Sequence, residues 1–233
     1  METYIRDLRS KLNAKMLVNG ELKSYFPEVY ELKKFKEINQ WHRGETTFEH
    51  TWEVLNNVEE ITKFKFVQDV DLKGKLINHI EDCNSSDGLF SRKELVVIGT
   101  ILHDIGKMNT FVVKEDLTTG FPNHETEGVD IAKGITERIH LTPSDSDLVL
   151  SLVKYHASFN YLSTSIQDDT KEEKARKTND LMLKIYNHAF EVALLNYADF
   201  LTSATKENNP ELFLYQKDYL KNVLLSIIKN FNK

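Results

Sequence analysis

Cysteine occurs once, at Cys83, in a chain of 233 residues. That excludes an intramolecular disulfide and any metal site built from thiolates alone, and it fits a reducing compartment. Nine glycines and four prolines are about half the usual share, which is roughly 12% for the pair. Sheet-rich domains need those residues for tight turns, so the shortage points to long helices with few connections. No run approaches the roughly 18 apolar residues of a membrane span. The opening residues, METYIRDLRSKLNAK, lack the apolar core of a signal peptide. A cytoplasmic protein without membrane contact is the expectation. Basic charge is also short, with 30 Lys and Arg against 36 Asp and Glu and a formal net charge of −6. Long duplex nucleic acid needs a strong positive field and is not an expected partner. A small nucleotide, or a strand end held by a few cations, is compatible with that charge.

What is present reads as helix. Apolar residues at 40% and charged residues at 28% predict a globular chain rather than a disordered one. Tyr4, Ile5, Leu8, Leu12 and Met16 fall at helical spacing. Pro27 stands near the start of a helix carrying Val29, Tyr30 and Leu32. Thr46 to Glu49 and Ser91 to Glu94 have the form of capping boxes, and Gly106 is a plausible stop for the second of these helices. Residues 108–123 look irregular, with room for a small hairpin at Val112–Phe121. Asn123 and Thr142-Pro143 read as helix starts. Residues 157–170 read as a loop, a helical region follows to about Ala204, and Asn209-Pro210 opens a last helix. The expectation is an all-α fold of about eight or nine helices with one small β-hairpin.

Polar residues interrupt several of these apolar faces. His50, Val54 and Val58 share one stripe; Leu148, Leu152 and His156 form another; Val192, Leu195, Asp199 and Thr202 form a third. His103-Asp104 ends the helix that carries Leu95, Ile98 and Leu102. A single buried histidine is as a rule a core side chain with a hydrogen-bond partner. A buried carboxylate is different, because it must be neutralised, paired with a cation or bound to a metal. Asp and His on converging helices make a divalent cation the economical explanation, with Mn, Fe, Co, Ni or Zn suited to the mixed donors and Mg to a carboxylate- and water-rich set.

The ordered set His50, His103-Asp104 in Leu-His-Asp-Ile-Gly-Lys, His124, His156 and Asp199 in Asn-Tyr-Ala-Asp resembles the HD-domain metal-dependent phosphohydrolases. Tyr25-Phe26-Pro27-Glu28, Trp41-His42, Asn123-His124-Glu125 and Tyr155-His156 look more narrowly like the HD domain of bacterial CCA-adding tRNA nucleotidyltransferases and related RNA-end-processing phosphatases. The resemblance covers roughly residues 24–204, within what reads as a single HD-type domain over 1–233 with terminal helices packed on the core. It implies that His50, His103, Asp104 and Asp199 hold a first metal. It implies that His124 and His156 are the extra ligands of two-metal members, with Asp104 as the bridge, so that one or two divalent metals bind per chain. Two cations a few ångströms apart clamp a phosphoryl group and activate water. Lys107 follows the helix end and is placed to meet a phosphate oxygen. His42 and Arg43, in a loop before His50, are candidates for contact with substrate phosphate or leaving group.

Departures narrow the branch. The HDIGK text is shared with cyclic-dinucleotide phosphodiesterases, but their Gly-Tyr-Pro is missing, since Tyr155-His156 runs into Ala-Ser-Phe-Asn. There is no Gly-x4-Gly-Lys-Ser/Thr loop for a kinase, and the chain reads as a free-standing version of the domain. The implied activity is a phosphatase or phosphodiesterase acting on nucleotide or RNA-terminal phosphates, such as 2′,3′-cyclic or 2′- and 3′-phosphates. The alternatives are a house-cleaning phosphatase for other small phosphoesters and a non-catalytic ligand-sensing HD module. Phe121, Phe159 and Tyr161 are candidates for stacking on a base.

Overall fold

The structure is a computed structural model that describes residues 2–84 and 88–230. Helices carry it, as expected. In chain order they are α1 (Glu2–Lys11), α2 (Ala14–Val18), α3 (Pro27–Glu31), α4 (Thr47–Ile61), α5 (Val70–Glu81), α6 (Arg92–Leu102), α7 (Lys107–Thr110), α8 (His124–Arg138), α9 (Pro143–Tyr155), α10 (Ser158–Ser165), α11 (Lys171–Ile185), α12 (Ala189–Phe200), α13 (Thr205–Asn208) and α14 (Pro210–Asn230). Among the described residues the only strands are β1 (Val112–Val113) and β2 (Thr119–Gly120), which pair antiparallel with Val112 opposite Gly120. The expected hairpin is therefore present.

Helix starts follow local chemistry. The Thr46 hydroxyl accepts from the Glu49 amide at 3.2 Å, and the Glu49 carboxylate accepts from the Thr46 amide at 2.8 Å. Ser91 and Glu94 repeat that reciprocal pair at the head of α6, and Thr142 caps α9 through the Asp145 amide. Three expectations are corrected. Asn123 does not cap α8 through its side chain; it takes a left-handed conformation with φ 58° instead. Residues 157–170 are not a plain loop, because α10 occupies Ser158–Ser165. The helical region from Lys171 is broken at Tyr186–His188, where a 3-10 turn follows α11 and Tyr186 has φ 48°.

The centre of the molecule is α4, α6, α9 and α12 packed together, with α8 laid on α9 and α14 on α12. From α12, Val192, Leu194, Leu195 and Ala198 are fully buried, as are Leu95, Ile98 and Leu102 from α6. Each such leucine or isoleucine contributes about 1.5–3 kcal/mol of transfer free energy. One continuous core cluster runs from Ile5 and Leu8 of α1 to Leu224 and Ile228 of α14. Its rigidity fixes the helix ends that carry the polar residues.

Candidate functional site

Five helix ends meet at one point. His50 lies in the first turn of α4, His103 caps the C-terminus of α6, His124 opens α8, His156 caps the C-terminus of α9, and Asp199 lies at the end of α12. Asp104 follows His103 in the turn toward α7. Gly106 permits this convergence. A Cβ at that position would lie 2.0 Å from the His124 carbonyl oxygen and 2.4 Å from the Gly128 amide nitrogen. Only glycine lets the turn after His103-Asp104 touch the N-terminus of α8. It does not end α6, as expected of it, because that helix stops at Leu102 with His103 as its cap, and Gly106 stands right-handed (φ −69°) at the start of α7.

All four histidines are aimed the same way. Nδ1 of His103, His124 and His156 lies 2.7, 2.9 and 2.8 Å from the carbonyl oxygens of Thr100, Phe121 and Val153. A ring nitrogen facing a carbonyl must carry the proton, so Nε2 keeps its lone pair. Nδ1 of His50 faces the Thr202 hydroxyl at 3.3 Å, and that hydroxyl donates to the Asp199 carbonyl. The four Nε2 atoms then turn to the carboxylates. Oδ2 of Asp104 lies 3.5 Å from His50 and 3.1 Å from His103, while Oδ1 lies 3.4 Å from His124 and 3.5 Å from His156. Oδ1 of Asp199 lies 3.0 Å from His50. Asp104 therefore faces two clusters with two different oxygens. The donor atoms of His50, His103 and Asp199 lie within 4.8 Å of one another, and so do those of Asp104, His124 and His156.

The donor set fits divalent metal, which HD domains bind. His103 Nε2 and Asp104 Oδ1 are sealed from solvent without a hydrogen-bond partner, an arrangement costly unless a cation completes it. Burial pushes the His156 imidazole down to about 4, and neighbouring His103 and His124 add to that, so it stays neutral. Burial acts to raise Asp104, but neighbouring His103 and the Lys107 ammonium outweigh it and hold the carboxyl well below the usual carboxylate range. Asp199 is likewise held low against burial, mainly by His50.

Beside this cluster lies a chain of opposite charges. Nζ of Lys107 sits 2.8 Å from Asp104 Oδ2 and 2.7 Å from Glu37 Oε2. Glu37 in turn accepts from His42 Nε2 at 2.9 Å, and His42 Nδ1 reaches Glu45 at 2.8 Å. Burial opposes a charge on His42, but its bonds to Glu37 and Glu45 win and push it up to about 9. Its ring meets that of His50 edge-on at 4.9 Å. Glu37 is fully buried and carried no signal in the sequence, since it lies in an irregular stretch. Its meaning depends on Lys107, 70 residues further along the chain.

A cleft of about 630 Å³ opens onto the cluster, with Glu37, His42, Lys107, Phe121, Tyr161 and Gln216 among its walls. The structure brings His50, His103, Asp104, His124, His156 and Asp199 together and places Lys107 and His42 at their edge. Arg43 is not drawn in. Its guanidinium reaches Glu207 at 3.5 Å and Glu53 at 3.8 Å on the outside of the loop. Phe159 is fully buried in the core, which removes it as a base-stacking candidate. Asn160, unremarked in the sequence, brings its Nδ2 to 3.5 Å from Asp199 Oδ2.

Comparison with known proteins agrees with this geometry. The family described as HD domain matches residues 47–189. A bifunctional uridylyltransferase/uridylyl-removing enzyme of Cereibacter sphaeroides is 23% identical over 172 residues, 70% of this chain and 16% of that protein. Its namesake in Ruegeria pomeroyi is 24% identical over 172 residues, with the same shares. One from Legionella pneumophila is 25% identical over 179 residues, 75% of this chain and 17% of its own length. The chain spans about one sixth of the length of these curated relatives. Their names point to a different nucleotidyl chemistry from the CCA-adding enzymes that the motifs resemble. With the HD match covering well over half of its residues, the chain belongs to the HD-domain family of metal-dependent phosphohydrolases.

Proposed function

We propose that this protein hydrolyses a phosphoester of a nucleotide, with two divalent cations held between α4, α6, α8, α9 and α12. The observation that carries the reading is Asp104, whose two oxygens face two separate histidine clusters. His50, His103, Asp104 and Asp199 would hold the first cation, and His124 and His156 with Asp104 would hold the second. When bound, the cations would supply Lewis acidity toward a phosphoryl oxygen and toward a water molecule. The chain's own groups do the rest. Backbone carbonyls and Thr202 fix each imidazole so that Nε2 is presented without reorganisation. Lys107 offers fixed positive charge at the cleft wall. His42, held as an imidazolium by Glu37 and Glu45, is a second cation for the departing or bound phosphate.

The substrate class rests on two strands of support. The motifs resemble RNA-end-processing enzymes, which favours 2′,3′-cyclic and 2′- or 3′-phosphates. The relatives are uridylyl-removing enzymes, which favours cleavage of a nucleotidyl ester. Both reactions attack phosphorus bearing a nucleoside. House-cleaning of small phosphoesters is the second reading, and a ligand-sensing module without turnover is the third. The unit we propose is a single HD-type domain with its motif-bearing core at about 24–204. One cysteine and no membrane-spanning helix among the described residues support a cytoplasmic setting.

The test is a substrate panel run with Mn²⁺, Ni²⁺ or Co²⁺. It contains 2′,3′-cyclic AMP, 2′-AMP, 3′-AMP, 5′-AMP, the p-nitrophenyl ester of UMP and p-nitrophenyl phosphate. Metal-dependent turnover concentrated on the nucleoside esters is expected. Equal rates on p-nitrophenyl phosphate would favour the house-cleaning reading, and metal binding with no turnover would favour the sensor.

A further inference from the structure

We propose that the indole of Trp41 is the stacking platform for the base of the nucleotide substrate. This rests on the nucleotide reading above and names the residue that selects for a base. Trp41 is a wall of the same cleft as the metal cluster and is 55% exposed. It directly precedes His42, whose ring touches His50. Single exposed apolar side chains are ordinary; what sets Trp41 apart is its place in the wall of the cleft beside the buried charges.

The backbone beneath the indole is held firmly. Its amide donates to Asn39 Oδ1 at 3.0 Å, and its carbonyl accepts from the Ala204 amide at 2.8 Å. The loop closes on itself through Glu37 and Glu45, with the Gly44 amide donating to the Glu37 carbonyl at 3.1 Å. Gly44 has φ 90°, which an L side chain rarely adopts. The neighbouring carbonyl of Gln40 is bonded by Asn208 Nδ2 at 2.8 Å. A fixed backbone under an exposed ring loses little entropy on binding.

Of the other aromatic walls, Phe121 is engaged through its ring, while Tyr161 is 59% exposed and is tied down only by its hydroxyl. Phe121 packs on Phe111 at 5.7 Å between ring centres and lies under Lys107 Nζ at 5.1 Å. The Tyr161 hydroxyl donates to Glu125 at 3.1 Å. Among the described residues the Trp41 indole meets no other ring, and its N–H makes no hydrogen bond. Every base offers a π face, so one tryptophan gives preference for a nucleotide over a sugar phosphate without fixing which base.

The experiment compares UMP with ribose 5-phosphate, the same ligand without its base, on the full chain loaded with Mn²⁺. Dissociation constants are measured by calorimetry for the native protein, Trp41→Phe and Trp41→Ala, with metal content determined on each. The native protein is expected to bind UMP about 10-fold or more tightly than ribose 5-phosphate. Trp41→Ala should abolish that preference with metal content retained, and Trp41→Phe should restore most of it. A preference that survives in Trp41→Ala, or is missing in the native protein, overturns the assignment. Turnover of the p-nitrophenyl ester of UMP is followed in parallel. Turnover without base preference would sink the Trp41 role alone, while a Trp41-dependent preference without any turnover would sink the hydrolase reading alone.

Discussion

Lys107 stands 2.8 Å from Asp104 on Oδ2, the oxygen that also faces His50 and His103. The ammonium is buried, and its other contact is the fully buried Glu37. It is therefore an internal counter-charge as well as a wall of the cleft. Removing one partner of a buried ion pair costs about 3–5 kcal/mol, since the other charge is left uncompensated. Lys107→Met should destabilise the metal-free protein by that order in urea unfolding. Adding Glu37→Gln to it should recover part of the loss. A Lys107→Met protein as stable as the native one would show that the triad carries no net charge constraint.

The bridging reading of Asp104 predicts unequal losses of metal. His124→Ala and His156→Ala should each lower bound metal from about two per chain toward one and slow hydrolysis strongly, because the phosphoryl group loses one of its two Lewis acids. Asp104→Ala should remove more metal than either. If His156 were only a core side chain, its alanine variant would melt earlier with metal content and rate retained. Elemental analysis, melting temperature and rate on the same three proteins separate these outcomes. Turnover should also stop when a chelator strips the native protein and return on adding metal.

Gly106→Ala tests the contact that positions His124. The added methyl would meet backbone atoms at 2.0 and 2.4 Å, so α8 must move. Loss of the second metal is expected, together with a stability loss of about 1–3 kcal/mol, as for overpacking elsewhere. Gly134, on the same helix, has no atom within 4 Å of its would-be Cβ. Gly134→Ala should leave metal content unchanged and, by helix propensity, raise stability by up to about 1 kcal/mol. Equal metal content in the two variants would show that the approach is not needed.

Arg138 ties α8 to the N-terminal segment, its guanidinium holding Glu28 through bonds of 2.6 and 2.8 Å and the Tyr25 carbonyl at 3.0 Å. Burial raises Glu28, but the Arg138 hydrogen bonds outweigh it and hold the carboxyl below its ordinary value. A depressed carboxyl stabilises the fold above its unfolded pKa, roughly 4.3, and that stability is lost as pH falls through the lower folded value. The pair is partly exposed, so the gain is no more than about 1 kcal/mol. The gap in melting temperature between the native protein and Arg138→Gln should narrow from about pH 6 to about pH 3. A gap that widens on acidification would contradict this assignment.

Much of the candidate site is legible in the sequence because its polar positions break a period. His50, His156 and Asp199 stand where the helical repeat calls for an apolar residue, and that conflict is visible in one dimension. Glu37 shows the opposite case, since an isolated glutamate in an irregular stretch looks like any solvated one until Lys107 is placed beside it. Arg43 looked equivalent to His42, its neighbour in the loop. The turn sent one side chain to Glu37 and the other to Glu207 on the outside. Helix α10 leaves little trace in the sequence because its residues, SFNYLSTS, have weak propensity, and packing on α12 and α14 supplies the stability.

The sequence by itself determined the helical class, the capping boxes that start α4 and α6, the hairpin between α7 and α8, and the polar residues that the fold gathers at the candidate site. Those follow from periodicity and from hydrogen bonds within a few residues, which short stretches of chain carry on their own. Tertiary structure decided the rest: which oxygen of Asp104 faces which histidines, that Lys107 bridges Asp104 and Glu37, and that Trp41 stands exposed in the wall of the cleft. Those depend on angles and distances between segments far apart in the chain. Such geometry is fixed only when the core packs and contacts such as Gly106 against His124 set how closely two helices meet.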